Sequence, residues 1–320
     1  LGLESLNEAV GHSELLQRRA VEEPRATSLE IERLLIPSDR GQRAFTGSVP
    51  LQRPRSELGD RLFTEAFGEL ARGASVDLHY AISTSDRSVG ARLGCALERE
   101  LPHRDAKSQA NAHFEGYAGQ SFGAFIADGV NLALTGEAND YVGKGMGGGR
   151  IVIKAPSDDV GEPYLVGNTA LYGATGGRLF VAGRAGERFA VRNSGAVAVV
   201  EGTGDHACEY MTAGAVVILG PTGINLGAGM SGGEAYVYDP QGTIEQRIND
   251  QLVSPYAPTP GQLESLRRVL QRHGELTASK TAREILQSWD VAASHFCRIA
   301  PRAEVARLEA LFEGTATAAA

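Results

Sequence analysis

Cysteine is scarce in this chain: there are three, Cys95, Cys208 and Cys297, in 320 residues, widely separated and with no Cys-x-x-Cys pair. That spacing excludes a disulfide framework and gives an iron–sulfur or zinc cluster nothing to start from, so a reducing, cytoplasmic setting is expected. A basic excess is also missing. The 31 Lys and Arg against 39 Asp and Glu leave a net charge of −8, whereas a nucleic-acid binder needs a basic stripe facing phosphate. The longest apolar runs have five residues, as in Ala196-Val197-Ala198-Val199-Val200, far short of the roughly 20 that span a bilayer. Neither nucleic acid nor membrane is therefore an expected partner. Leu1 opens neither a start nor a signal segment, which predicts a soluble chain cut from something longer.

Glycine is abundant, and its distribution is informative. Of 40 glycines, 28 lie between Ala112 and Gly242. Short aliphatic runs recur with them as i, i+2 pairs: Ala112 and Phe114, Leu132 and Leu134, Ile151 and Ile153, Leu179 and Val181, Val197 and Val199, Val216 and Ile218, Ala235 and Val237. Their first members are 20, 19, 28, 18, 19 and 19 residues apart. Alternation with β-branched residues reads as strand, and from Ile151 onward each run follows a glycine within two residues. Second extended segments are expected just upstream, at Ala138–Val142, Thr169–Tyr172, Arg188–Arg192, His206–Tyr210 and Ile224–Leu226. This period predicts an all-β core, a parallel β-helix with a column of aliphatic side chains inside. An antiparallel sandwich would need tight-turn dipeptides between runs, and Asp128-Gly129 is the one present.

The long step holds Lys154 to Pro163, read as a loop bulging from one unit. Upstream, Ser56–Leu70 and Ser85–Leu101 show helical spacing on either side of a strand at Val76–Ile82. Downstream, Thr259-Pro260-Gly261-Gln262 forms a capping box before Leu263, Leu266 and Leu270, and helices are expected from Ser279 through Trp289 and through Val305, Leu308 and Phe312. The predicted organisation is a wrapping or linking segment at 1–55, a helix-strand-helix lead-in at 56–110, the repeat at 111–242, C-terminal helices at 243–314 and a disordered tail at 315–320.

Several residues invite a chemical reading, and each has a structural one beside it. Gly143-x-Gly145-x-x-Gly148 and Gly227-x-Gly229-x-x-Gly232 match a dinucleotide fingerprint, but that site needs a helix N-terminus, and extended runs follow here. Asp205-His206-Ala207-Cys208-Glu209 looks like a metal or nucleophile cluster, yet two ligands do not make a site. His113, His295 and Cys297 stand isolated, Asp158-Asp159 reads as a solvated pair, and no Ser-His-Asp or Cys-His set is spaced to assemble. The residues therefore predict no catalytic, cofactor-binding or metal-binding position in this chain.

The segment Gly136-Glu137-Ala138-Asn139-Asp140-Tyr141-Val142-Gly143-Lys144-Gly145-Met146-Gly147-Gly148-Gly149 resembles the signature of the C-terminal GXGXG domain of the glutamate synthase large subunit. Gly167–Gly177, Gly186–Gly195, Gly204–Thr212 and Gly229–Gly233 are similar to it in order; Gly147 departs, standing where that family more often has serine. The resemblance implies a right-handed parallel β-helix of about seven turns with flanking α-helices at both ends. It implies a structural role beside a glutaminase domain and an FMN-barrel domain with an iron–sulfur cluster, in the same chain or in trans. A small NAD(P)H-oxidising subunit would join through the parent, and FMN and the cluster would sit on other domains. One of the subunits of formylmethanofuran dehydrogenase shares the domain, but the N-terminal segment and C-terminal helices favour glutamate synthase. Two rivals remain. One is a free-standing GXGXG chain that assembles in trans. The other is an autonomous β-helix enzyme acting on a carbohydrate or acyl group, which needs an outward row of acids or aromatics where Phe180, Tyr236 and Tyr238 are the main ones.

Overall fold

The computed structural model describes residues 2–17, 19, 30–37, 47, 56–105, 107–156 and 163–306. The chain divides into two compact units, Leu1–Arg55 and Ser56–Ala320. The first carries a one-turn helix α1 (Leu6–Ala9) and two 3-10 turns (Ser13–Leu15 and Ile31–Leu34), with Ser13 Oγ donating to the Leu35 carbonyl at 2.9 Å.

In the second unit α2 (Glu57–Ala71), capped by Ser56, buries Leu58, Leu62, Ala66 and Leu70. Strand β1 (Val76–Ile82) and helix α3 (Ala91–Glu100) follow. The repeat then forms β2 (Ala110–Ala118), β3 (Val130–Ala138), β4 (Arg150–Lys154), β5 (Tyr164–Val166), β6 (Arg178–Ala182), β7 (Arg184–Ala185), β8 (Ser194–Val200), β9 (Ala213–Ile218) and β10 (Glu234–Tyr238). After it come β11 (Val253–Tyr256), α4 (Pro260–Thr277), α5 (Lys280–Gln287), α6 (Trp289–Ala292) and β12 (Phe296–Pro301).

The strands build one twelve-stranded sheet in the order β1-β2-β3-β4-β6-β8-β9-β10-β12-β11, with β5 pairing β3 and β7. Pairing is parallel from β1 to β10, and antiparallel from β10 to β12 and from β12 to β11. The register aligns Ala112, Leu132, Ile151, Leu179, Ala198, Val216 and Ala235 in one row, each at most 1% exposed. Full burial of an aliphatic side chain stabilises by about 1.5–3 kcal/mol, so this row and its i+2 neighbours are a main source of the core.

This architecture corrects the fold class. The chain is not an all-β right-handed parallel β-helix of seven turns; it is α/β, a mixed parallel and antiparallel sheet with helices packed on it. Helices α4 and α5 lay Leu266, Leu270, Ala282 and Ile285 on Val152, Phe180, Val199, Val217 and Tyr236, which form a second core on the opposite sheet face. Phe180 and Tyr236, expected to face outward, are thus covered. The alignment of β8 also differs: Ala198, not Val197, stands opposite Leu179, while Val199 packs under the helices.

The capping box at Thr259 and Gln262 is present, and α4 continues past Gly274 to Thr277. Ser279 caps α5. Phe296–Pro301 is a strand, and residues 302–306 are helical. Residues 157–162 of the expected loop, Leu308 and Phe312 of the expected last helix, the 315–320 tail and most of the 1–55 segment lie outside the described residues.

Candidate functional site

The expected second extended segments are turns with alternating backbone handedness. Positive φ falls on every second residue at Ser121, Gly123 and Phe125, and likewise at Tyr141, Gly143 and Gly145. The pattern returns at Thr169, Leu171 and Gly173, at Arg188, Ala190 and Arg192, at His206, Cys208 and Tyr210, and at Asn225, Gly227 and Gly229. The left-handed region costs a non-glycine residue roughly 1–2 kcal/mol, so stacking must hold it there.

Hydrogen bonds between successive turns do so. The Tyr141, Thr169, Arg188 and His206 amides donate forward to the carbonyls of Asn168, Glu187, Asp205 and Ile224, at 2.8–2.9 Å. The Gly143, Leu171, Ala190 and Cys208 amides donate backward to Phe122, Val142, Ala170 and Phe189, at 2.7–2.9 Å. A side-chain row reinforces the corner: Asp140 Oδ1 accepts from Asn168 N–H at 2.7 Å, Asn168 Oδ1 from Glu187 N–H at 2.8 Å, and Asp205 Oδ1 from Ile224 N–H at 2.9 Å. Phe125, Tyr141 and Tyr210 remain exposed on the outside of this column. Lys144 Nζ lies 5.4 Å from the centre of the Tyr141 ring.

The residues singled out by sequence are absorbed into this construction. Asp205 and Glu209 serve the column, Glu209 by pairing with Arg188 at 2.6 Å. Cys208 is fully buried, and burial pushes its thiol up to about 12, the reverse of what a nucleophile needs. After Gly148 and Gly232 come β4 and β10, not helices. His295 sits edge-on to Tyr238 at 6.0 Å, with its Nδ1 buried and unpartnered. Burial also raises the Cys297 thiol. Asp158 and Asp159 lie outside the described residues. The three cysteines stand on α3, a turn and β12, and among the described residues no three His, Cys, Asp or Glu side chains converge to hold a metal.

Two features escaped sequence reasoning. His113 stacks on His79 of the neighbouring strand, rings 4.8 Å apart and 13° from parallel, in an open cleft of about 800 Å³ over the first four strands. Beside them Asn131 Nδ2 donates to Asn111 Oδ1 at 2.9 Å, and Asn111 Nδ2 to Asp77 Oδ1 at 3.0 Å. The only available signal was period-two polarity in strands whose partners sequence does not name. The second feature is Glu201, whose carboxylate accepts from Ser279 Oγ and from Thr281 Oγ1 at 3.2 Å, with His273 Nε2 3.3 Å away. It ties α4 and α5 to the end of β8.

These features define a repeating domain whose glycine-marked turns bond to one another through backbone amides and a row of Asp and Asn side chains. The family model described as "GXGXG motif" matches residues 59–302, and the chain belongs to that family. It is 40% identical over 309 residues to the ferredoxin-dependent glutamate synthase of Pyropia yezoensis, covering 95% of this chain and 20% of that protein. It is 42% identical over 314 residues to ferredoxin-dependent glutamate synthase 2, chloroplastic, of Arabidopsis thaliana, covering 95% and 19%. The glutamate synthase [NADH] of Schizosaccharomyces pombe is 42% identical over 317 residues, covering 97% and 15%. The chain thus spans about a fifth or less of the curated relatives it matches. Among the described residues no helix is long and apolar enough to cross a membrane.

Proposed function

We propose that this chain serves as a non-catalytic domain of a glutamate synthase, which converts glutamine and 2-oxoglutarate to two glutamates in ammonia assimilation. In this reading it braces the glutaminase domain against the FMN and iron–sulfur synthase domain and helps fix the path ammonia takes between them. The observation that carries the proposal is the turn column, whose amides bond alternately to the preceding and the following turn. Such interlocking resists local opening, which is what a spacer between two active sites requires. In this reading flavin and cluster sit on other domains of the parent. A small NAD(P)H-oxidising subunit reaches this domain only through the parent, in the cytoplasm.

The test is direct. The purified 320-residue chain is expected to be colourless and to form no glutamate from glutamine, 2-oxoglutarate and a reductant. A flavin band or turnover from this polypeptide alone would overturn the proposal.

A further inference from the structure

The strand starts of β2, β3, β4, β6 and β8 border a second cleft of about 950 Å³. Arg150 and Arg178 are register partners on adjacent parallel strands there, and such positions lie about 4.8 Å apart with side chains on one face. Among the described residues neither guanidinium has a hydrogen-bond or ion-pair partner. The acids that border the same cleft pair with neither arginine. Glu98 pairs with Arg104 at 2.9 Å, Asp128 Oδ1 accepts from Gly149 N–H at 3.0 Å, and Asp105 Oδ1 accepts from Lys107 N–H at 2.9 Å.

Two like charges side by side repel, and no carboxylate pairs with either of them among the described residues although the chain carries a net charge of −8. Arg150 is half-buried, and burial, then the charges of Arg272 and Arg178, hold it below the ordinary arginine range with no carboxylate acting the other way. Glycines at 129, 149, 177 and 195 leave bare backbone along the rim. We propose that Arg150 and Arg178 form a binding site for the oxyanion group, carboxylate or phosphate, of a small ligand. Two planar forks on adjacent strands match the paired oxygens of such a group. The inference does not depend on the scaffold reading.

Equilibrium dialysis of the 320-residue chain against labelled inorganic phosphate and, separately, succinate, at fixed ionic strength, tests it. Saturable one-to-one binding of at least one probe is expected, weakened about tenfold or more by Arg150→Gln and by Arg178→Gln. Arg178→Lys should retain part of the affinity, because it keeps the charge and loses the fork. Arg178 is exposed and has no side-chain partner among the described residues, so Arg178→Gln relieves the repulsion and should not lower the thermal midpoint, which separates loss of the site from loss of the fold. Binding of phosphate alone or of succinate alone assigns the oxyanion. The proposal is overturned if neither probe binds saturably, or if binding is unchanged in both glutamine variants.

Discussion

The ring of Tyr210 occupies the space that a side chain on Gly229 would need: a Cβ there would lie 2.5 Å from both Cδ1 and Cε1 of the tyrosine. Phe125 stands in the same relation to Gly145, with Cε1 at 2.3 Å. The final glycine of each GXG thus seats an aromatic ring from the turn before it. The placement of these two outward aromatics depends on that fit.

Gly229→Ala is expected to destabilise by about 1–3 kcal/mol, the sum of left-handed strain at φ +67° and displacement of the ring. Tyr210 is exposed, so Tyr210→Ala in the same background should return the steric part and leave the backbone part. Gly136→Ala is the severe control, because its Cβ would meet the Gly116 carbonyl oxygen at 1.8 Å and backbone cannot swing aside. Urea unfolding of the parent chain, the two single variants at Gly229 and Tyr210 and the double variant gives the coupling energy; additive losses would contradict the seating.

Asn168→Ala should cost about 0.5–1.5 kcal/mol by leaving the Glu187 N–H without its side-chain acceptor. Asn168→Asp should be close to neutral, since Asp140 and Asp205 fill the matching place in their own turns. Equal losses in both variants would show that the row contributes nothing through its acceptor oxygens.

Glu201→Ala removes the acceptor that Ser279, Thr281 and His273 converge on, and His273 is fully buried. An expected loss of about 2–4 kcal/mol follows from stranding these groups. Hydrogen exchange should quicken at the α4–α5 junction first, with the β2–β4 amides following only on global unfolding.

Alkaline pH should weaken the fold. A thiol raised to about 12 in the folded state from an ordinary value near 9 stays protonated while the unfolded chain ionises. The unfolded state then binds fewer protons, so stability is full below pH 9 and falls by about 1.4 kcal/mol per pH unit above it, until about pH 12. Tyr80 and Tyr236, raised first by burial, act in the same direction. Cys208→Ala should reduce the slope of stability between pH 9 and 10 without abolishing it. In the native protein a thiol reagent should modify exposed Cys95 well before buried Cys208.

The recurrence of strands was legible because Ala112 and Phe114 alternate with Asn111, His113 and Glu115, and matching aliphatic pairs return at Leu132 and Ile151 to face the same core. Strand β8 was misaligned by one because both of its faces are buried: Ala198 and Val200 face one core and Val199 the other. Five consecutive apolar residues then carry no period-two signal. The left-handed positions at Gly143, Gly145, Gly227 and Gly229 carry the glycine signature. Those at Thr169, Arg188 and His206 do not, since neighbouring turns and not local preference impose them.

The fold class was missed for a related reason. The alternation in β12 is short and lies between helices, and nothing local to α4 says that its apolar stripe closes the opposite face of the sheet. The alignment of Ile151 with Leu179 already places Arg150 beside Arg178, but nothing in the sequence says that both arginines lack a carboxylate partner in the fold.

Whether this chain is one domain of a larger glutamate-forming enzyme is decided by the size of the native polypeptide in a lysate of the source cells, detected with an antibody to this chain. The expected band is several-fold heavier than 33.8 kDa and co-fractionates with glutamine-dependent glutamate synthesis. A band at 33.8 kDa, separate from that activity, would show that the chain does not belong to such an enzyme.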